Sequence, residues 1–178
     1  MSRKYVNDRW CVRCSKTAPT PYLRDKFDVL FNDMKFDEIK VVDIGCGNCR
    51  NSSFCVSKGI SDVNPMDMVG DHGTKVVLGE DDFPFDNESV DVILANYVFM
   101  FLNRVEAEKT LSEINRIAKA GARVMVELYA AKDSEAPDKE TLIDLRKSMV
   151  SWFKWYGWTV VHEVQERFIM EKSFDITP

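Results

Sequence analysis

Several things are scarce in this chain, and each scarcity narrows the reading. No apolar run approaches the roughly 20 residues that cross a bilayer, which excludes a membrane-spanning helix from the expectations. The opening stretch, Met1-Ser2-Arg3-Lys4-Tyr5-Val6-Asn7-Asp8, lacks the apolar segment of a secretory signal, so a cytoplasmic protein is expected. Cysteine is sparse and odd in number, five among 178 residues, so reduced thiols are expected rather than a disulfide framework. Basic residues are the minority, 24 against 29 acidic ones. A net charge of −5 argues against broad binding to duplex nucleic acid, which needs Lys and Arg on phosphates. Internal repeats and low-complexity tracts are absent.

What is present is ordinary globular material: 45% hydrophobic and 30% charged residues, in a length that suits one domain. The charge is uneven. Residues 1–26 hold seven Lys and Arg against Asp8 and Asp25, a net +5, so the remainder carries −10. A basic arm on an acidic body can reach an anionic substrate, or can simply lie against that body. The expected organisation is an arm and capping helix over residues 1–36, joined to a core over 37–178 as one domain. Within the arm, Pro19 and Pro21 permit a helix just after them. Tyr22, Leu23, Phe27, Leu30, Phe31 and Met34 then fall at helical spacing on one face.

The stretch Val41-Val42-Asp43-Ile44-Gly45-Cys46-Gly47-Asn48-Cys49 organises the rest. A short apolar run broken by one Asp reads as a buried strand. Two glycines follow, allowing unusual backbone angles and close approach of a ligand. A helix over about 48–57 then offers free N–H groups at its start. This is a cradle for an adenosine nucleoside. Asp62 lies 19 residues beyond Asp43, the interval at which a carboxylate grips ribose hydroxyls in nucleoside-binding βαβ units; Asp67 is its rival. Strands are expected at 75–78, 90–94 and 123–129, and helices at 106–118 and 139–155. Trp158–Val164 and Arg167–Glu171 read as a terminal hairpin. Cys11-x-x-Cys14 and Cys46-x-x-Cys49 together look like a four-cysteine zinc pattern. The second pair sits inside the nucleoside turn, however, so no metal is expected.

The glycine-rich turn resembles motif I of the class I S-adenosylmethionine (SAM) methyltransferases, with Cys49 standing where the third glycine of Asp-x-Gly-x-Gly-x-Gly usually is. The run from Gly79 to Leu94, Gly-Glu-Asp-Asp-Phe-Pro-Phe-Asp-Asn-Glu-Ser-Val-Asp-Val-Ile-Leu, resembles that family's Gly-Asp-x-x-x-Leu-Pro-Phe-x-Asp-x-Ser-Phe-Asp stretch almost end to end. The resemblance covers about residues 39–172. It implies an α/β, Rossmann-like fold: a seven-stranded, mostly parallel sheet with helices on both faces and a C-terminal antiparallel hairpin. It implies SAM as cofactor, held by Asp43, Gly45, Cys46, Gly47, Asn48, Asp62, Glu80 or Asp81, and Asn96. Tyr97 would face the transferred methyl group as a weak catalytic candidate, with His72 another. Arg9, Trp10, Arg13, Tyr22 and Tyr129 are candidates for acceptor contact.

The region after the fourth strand reads Asn96-Tyr97-Val98-Phe99, unlike the Asp/Asn-Pro-Pro-Tyr of enzymes acting on exocyclic base amines. No Pro-Cys pair follows that strand, which argues against methylation through a cysteine adduct. A small-molecule or nucleotide acceptor is therefore expected. RNA, DNA or protein methylation through the basic arm is the first alternative, and SAM binding without catalysis the second.

Overall fold

A computed structural model describes residues 17–69, 72–128 and 139–174. Seven strands form one sheet in the order β3-β2-β1-β4-β5-β7-β6. They are β1 (Lys40–Ile44), β2 (Asp62–Asp67), β3 (Thr74–Lys75), β4 (Val90–Asn96), β5 (Ala118–Glu127), β6 (Trp158–Val164) and β7 (Arg167–Lys172). The first five are mutually parallel; β7 runs antiparallel to both β5 and β6. The α/β architecture and terminal hairpin are those the sequence implied. From β1 the chain winds outward through β2 and β3, then returns past β1 to lay down β4 on its other side. Ligands of open α/β sheets bind at such a reversal, outside the carboxyl ends of the strands.

The central strands are buried on both faces, so they read as nearly continuous apolar runs. Their pleat sends successive side chains into two separate cores. Val42, Ile44, Val90, Ile93, Ala95, Val124, Val126, Phe168 and Met170 face one core. That core is completed by α4 (Arg104–Ile117) through Leu111, Ile114 and Ile117, and by α5 (Lys139–Trp155) through Met149 and Phe153. Val41, Val92, Leu94, Met125 and Ile169 face the other. There they meet α1 (Pro21–Asp25), α2 (Phe27–Leu30) and α3 (Arg50–Ser57).

The helical face expected over Tyr22–Met34 is divided into α1 and α2, broken at Lys26, whose φ of −117° and ψ of 15° leave the helical region. The apolar face is kept: Leu23, Phe27, Leu30 and Phe31 are all buried. Arg123 on β5 fixes this pair to the sheet. Its Nη1 donates to the carbonyls of Val29, Leu30 and Asn32, while its Nε donates to Glu171 at 2.8 Å. Lys172 likewise seals the end of α4, donating to the carbonyls of Asn115 (2.9 Å) and Ala118 (2.8 Å), which the helix leaves unpaired.

Several boundaries differ from the sequence reading. A second strand runs from Asp62 to Asp67, despite Asn64 and Pro65, because it pairs in parallel with β1. The third strand shrinks to two residues at the sheet's edge, Thr74–Lys75. The fifth begins at Ala118, with a register irregularity between Val90 and Val92 of its partner. No helix among the described residues is long and apolar enough to cross a membrane.

Candidate functional site

The turn after β1 holds three left-handed residues in alternation: Gly45 (φ 63°), Gly47 (φ 58°) and Cys49 (φ 58°). Cys49 thus adopts the angle of the glycine in whose place it stands, a conformation costing a residue with a Cβ about 1–2 kcal/mol. Gly45 is required for a second reason. A Cβ there would stand 2.6 Å from Val98 Cγ2, so this glycine seats the turn against the segment following β4. The turn is pinned further by Cys46 N donating to the Met66 carbonyl (2.9 Å), which continues the β1–β2 ladder. The Cys46 and Cys49 Sγ atoms lie 3.5 Å apart as free thiols, with burial pushing both upward in pKa. No cluster of metal-ligating side chains occurs among the described residues; Cys11 and Cys14 lie outside them.

The two carboxylate candidates on β2 fall at opposite ends of the sheet. Register pairs Asp62 with Lys40, the first residue of β1, and Met66 with Ile44, the last. Asp62 is exposed at the amino edge, where it accepts from Asn64 Nδ2 at 2.6 Å. Asp67 stands beside the glycine turn, about 16 Å further along the strand at roughly 3.3 Å per residue. It is buried, with Oδ2 accepting from Gly47 N (2.9 Å) and Oδ1 from Val69 N (3.1 Å). Each oxygen keeps a lone pair for a further donor. The expected interval of 19 residues thus lands at the end of the strand away from the glycine turn.

Asp43 belongs to the interior rather than to the crevice surface. Ser52 Oγ donates to it at 2.6 Å, and burial pushes its pKa up to about 6, with Asp67 nearby adding to the rise. Asn48 lies in the turn, half-buried. Asp81 is committed to its own loop, accepting from Val77 N at 2.8 Å, and the Glu80 carbonyl accepts from Lys109 Nζ. That loop is clamped from α4. Glu113 accepts from Phe83 N (2.7 Å), while Arg116 donates to the carbonyls of Phe83 and Phe85 and to Asn87. Phe83 is buried in the core, so the Phe-Pro-Phe run is an anchor for the loop preceding it.

On the other side of the turn, the ends of β4 and β5 build a polar cluster largely missed by sequence reasoning. Glu127 closes β5 and is fully buried. Its Oε1 accepts from Asn96 Nδ2 at 2.6 Å and from the Thr20 hydroxyl; its Oε2 accepts from the Tyr97 hydroxyl at 3.1 Å and lies 3.5 Å from Arg167 Nε. Burial raises the Glu127 pKa against the pull of these donors. Asn51, on the first turn of α3, receives Thr20 N at 2.9 Å and donates to Asn96 Oδ1 at 3.1 Å. Tyr22 is buried, its hydroxyl 2.9 Å from His162 Nδ1, with the Arg167 guanidinium 5.8 Å from its ring.

The structure therefore brings Gly45, Cys46, Gly47, Asn48, Asn96, Tyr97 and Tyr22 to one edge of the sheet and leaves Asp62 away from it. His72 is an exposed loop residue whose carbonyl accepts from Cys49 Sγ. Arg9, Trp10, Arg13 and Tyr129 lie outside the described residues. Thr20, Asn51, Glu127 and Arg167 were not anticipated. A signal did exist for Glu127: one acid ending an apolar strand, Val124-Met125-Val126-Glu127, as Asp43 interrupts β1.

Comparison with known proteins agrees with this fold. The chain is similar in fold to a SAM-dependent methyltransferase from Aquifex aeolicus, at 17% identity and TM-score 0.58, covering 90% of this chain and 95% of that one. A SAM-dependent methyltransferase from Methanosarcina mazei aligns at 15% identity and TM-score 0.60, covering 89% of this chain and all of the other. A protein from Pyrococcus horikoshii aligns at 14% identity and TM-score 0.64, covering 96% and 98%. No curated protein matches the sequence. Residues 22–144 match the family Methyltransf_8, described as hypothetical methyltransferase. The chain belongs to this methyltransferase family.

Proposed function

We propose that this protein moves the methyl group of S-adenosylmethionine to a small-molecule or nucleotide acceptor. One observation carries the donor side of this reading: a glycine turn with three left-handed residues faces a buried acid, Asp67, at the carboxyl edge where the sheet reverses. The residues fit a nucleoside. Asp67 is the acid that would receive the ribose hydroxyls, the role first expected of Asp62. Main-chain groups of Gly47, Asn48 and Cys49 line the turn. The loop of Glu80 and Asp81, held by Arg116 and Glu113, stands where an adenine amino group would be received. Asn96 reaches the same edge from β4.

SAM supplies a methyl group already activated on a sulfonium sulfur. The protein's task is then to align an acceptor atom in line with it and keep water away. Half-buried Tyr97 supplies aromatic surface for this on the β4–β5–β7 side, and Arg167 a partly exposed cation. A cation beside an aromatic ring suits an anionic or nucleotide-sized acceptor. No general base is required where the acceptor atom has no proton to lose; a hydroxyl acceptor must pass its proton to a base or to water.

Calorimetry with SAM and with its demethylated product tests the donor site. The expected result is binding that is weakened in Asp67→Ala and kept in Asp62→Ala. Full binding by Asp67→Ala would overturn the assignment. Transfer of labelled methyl from SAM into a metabolite extract, compared with RNA and protein fractions, tests the acceptor class. Label found only in macromolecules would overturn it.

A further inference from the structure

Glu127 sits at a crossing of four chain segments that are far apart in sequence. Four buried residues form a closed ring of hydrogen bonds: Thr20 N to Asn51 Oδ1, Asn51 Nδ2 to Asn96 Oδ1, Asn96 Nδ2 to Glu127 Oε1, and Thr20 Oγ1 back to Glu127 Oε1. Each comes from a different part of the fold: the segment before α1, the first turn of α3, the end of β4 and the end of β5. Buried polar groups of this kind are costly unless satisfied, and a fully satisfied ring fixes one arrangement of its members.

The same residue also holds Tyr97 twice. The Glu127 main-chain carbonyl accepts from Tyr97 N at 2.8 Å, and its carboxylate accepts from the Tyr97 hydroxyl at 3.1 Å. Tyr97 needs such holding, because its φ of 62° is left-handed. Strained backbone of this sort persists only where its surroundings over-determine it, and it concentrates at functional sites.

We propose that Glu127 is a positioning residue for methyl transfer, which orients Tyr97 toward the acceptor and, through the Thr20–Asn51–Asn96 ring, fastens the segment leading into α1 onto the carboxyl edge of the sheet. The inference rests on the methyltransferase reading above and adds to it a specific role for a residue outside the glycine turn. Glu127 acts through its neighbours, with Tyr97 the side chain it presents. The raised pKa of the Tyr97 hydroxyl, caused first by burial and then by the Glu127 charge, accords with that pairing.

Two variants separate positioning from mere support of the fold. Glu127→Gln keeps an oxygen able to accept from Asn96 and Thr20, but places an N–H₂ group toward Tyr97 and Arg167. Glu127→Ala removes both. In the ligand-free full chain, amide hydrogen exchange at Thr20 and Tyr97 is expected to speed up at least tenfold in Glu127→Ala. In Glu127→Gln, the Thr20 amide should stay within about threefold of wild type. The Tyr97 Cζ resonance, which reports the hydroxyl's acceptor, should shift in both. Labelled methyl transfer from SAM, corrected for the folded fraction, should fall at least tenfold in both, mainly in kcat, while calorimetric affinity for the demethylated donor changes less in Glu127→Gln than in Glu127→Ala.

Unchanged exchange at Thr20 and Tyr97 in a folded Glu127→Ala protein would overturn the proposal. So would a Glu127→Gln protein with an unmoved Tyr97 resonance and wild-type transfer. Exchange and resonance are read without ligand. Failure of the wild type to bind SAM would therefore refute the methyltransferase reading, not the role of Glu127 in holding Tyr97 and Thr20.

Discussion

The two halves of the sheet's carboxyl edge are built in different ways. The half proposed for the donor, around β1 and β2, is made mostly of backbone from a short span: residues 43–49 turn on two glycines and one strained cysteine, and Asp67 closes the far side. The half proposed for the acceptor, around β4, β5 and β7, is made of side chains brought together over long separations. Thr20 meets Glu127 across 107 residues, and Asn96 meets it across 31. A backbone cradle tolerates different side chains provided its φ angles can be reached. A side-chain cluster tolerates little, since removing one partner strands buried polar groups on the others. Such a division lets one donor site persist while acceptor contacts change.

Four substitutions around the glycine turn, with Asp62→Ala as a control, sharpen this contrast, in descending order of expected size. Gly45→Ala should be the most damaging. Its Cβ meets Val98 at 2.6 Å and its φ is left-handed, so a loss of about 2–4 kcal/mol is expected from overpacking and backbone strain together, read by urea denaturation. A loss under about 1 kcal/mol would mean that the turn is not wedged against the β4 segment.

Asp43→Asn tests the one buried charge beneath the turn. The folded protein holds the Asp43 proton up to about 6, whereas an unfolded chain releases it near the ordinary value of 3.8. The folded state therefore binds more protons in that window, and stability falls as pH rises from about 4 to about 6, then levels. The contribution amounts to about 3 kcal/mol. Stability of the Asn variant relative to wild type should improve by that order between pH 4 and pH 7, measured by denaturant titration at both. A constant difference would show that Asp43 is not held protonated by burial.

Asp67→Ala should lower affinity for SAM roughly tenfold to a hundredfold, since hydrogen bonds to a charged partner are worth about 1.5–3 kcal/mol. Asp62→Ala should leave it within about twofold. Calorimetry on the pair decides between the two ends of β2. The smallest effect belongs to Cys49→Gly, which should relieve the left-handed strain and shift stability upward by no more than about 1 kcal/mol, with donor affinity retained. A clear loss of stability would mean that the thiol contacts of Cys49 outweigh its backbone strain.

The same contrast explains what could be read from the sequence. The turn was legible because glycine spacing encodes backbone angles directly. The βα alternation and terminal hairpin were legible because apolar periodicity and short connectors encode them. Even Cys49 kept the angle of the glycine it stands for. Asp62 falls away from the turn because counting residues from Asp43 gives no register. The helix and connector between β1 and β2 fill that interval, so a count of 19 stops short at the amino end of β2, and only pairing with Lys40 reveals this. Thr20, Asn51 and Arg167 had no local signal at all. Each is an ordinary polar residue whose importance comes from partners that the fold supplies.

The terminal hairpin has a consequence of its own. Because β7 runs against β5, the Gln165–Glu166 bend falls at the end of the sheet where Glu127 closes β5, and the Glu166 carbonyl ties back to Leu128 at 3.0 Å. Lengthening or recolouring that bend would remodel one wall of the cleft while leaving the β1–β2 pairing and its glycines untouched. Diversification of what such an enzyme modifies can proceed there, at a surface bend, without renegotiating how the donor is held.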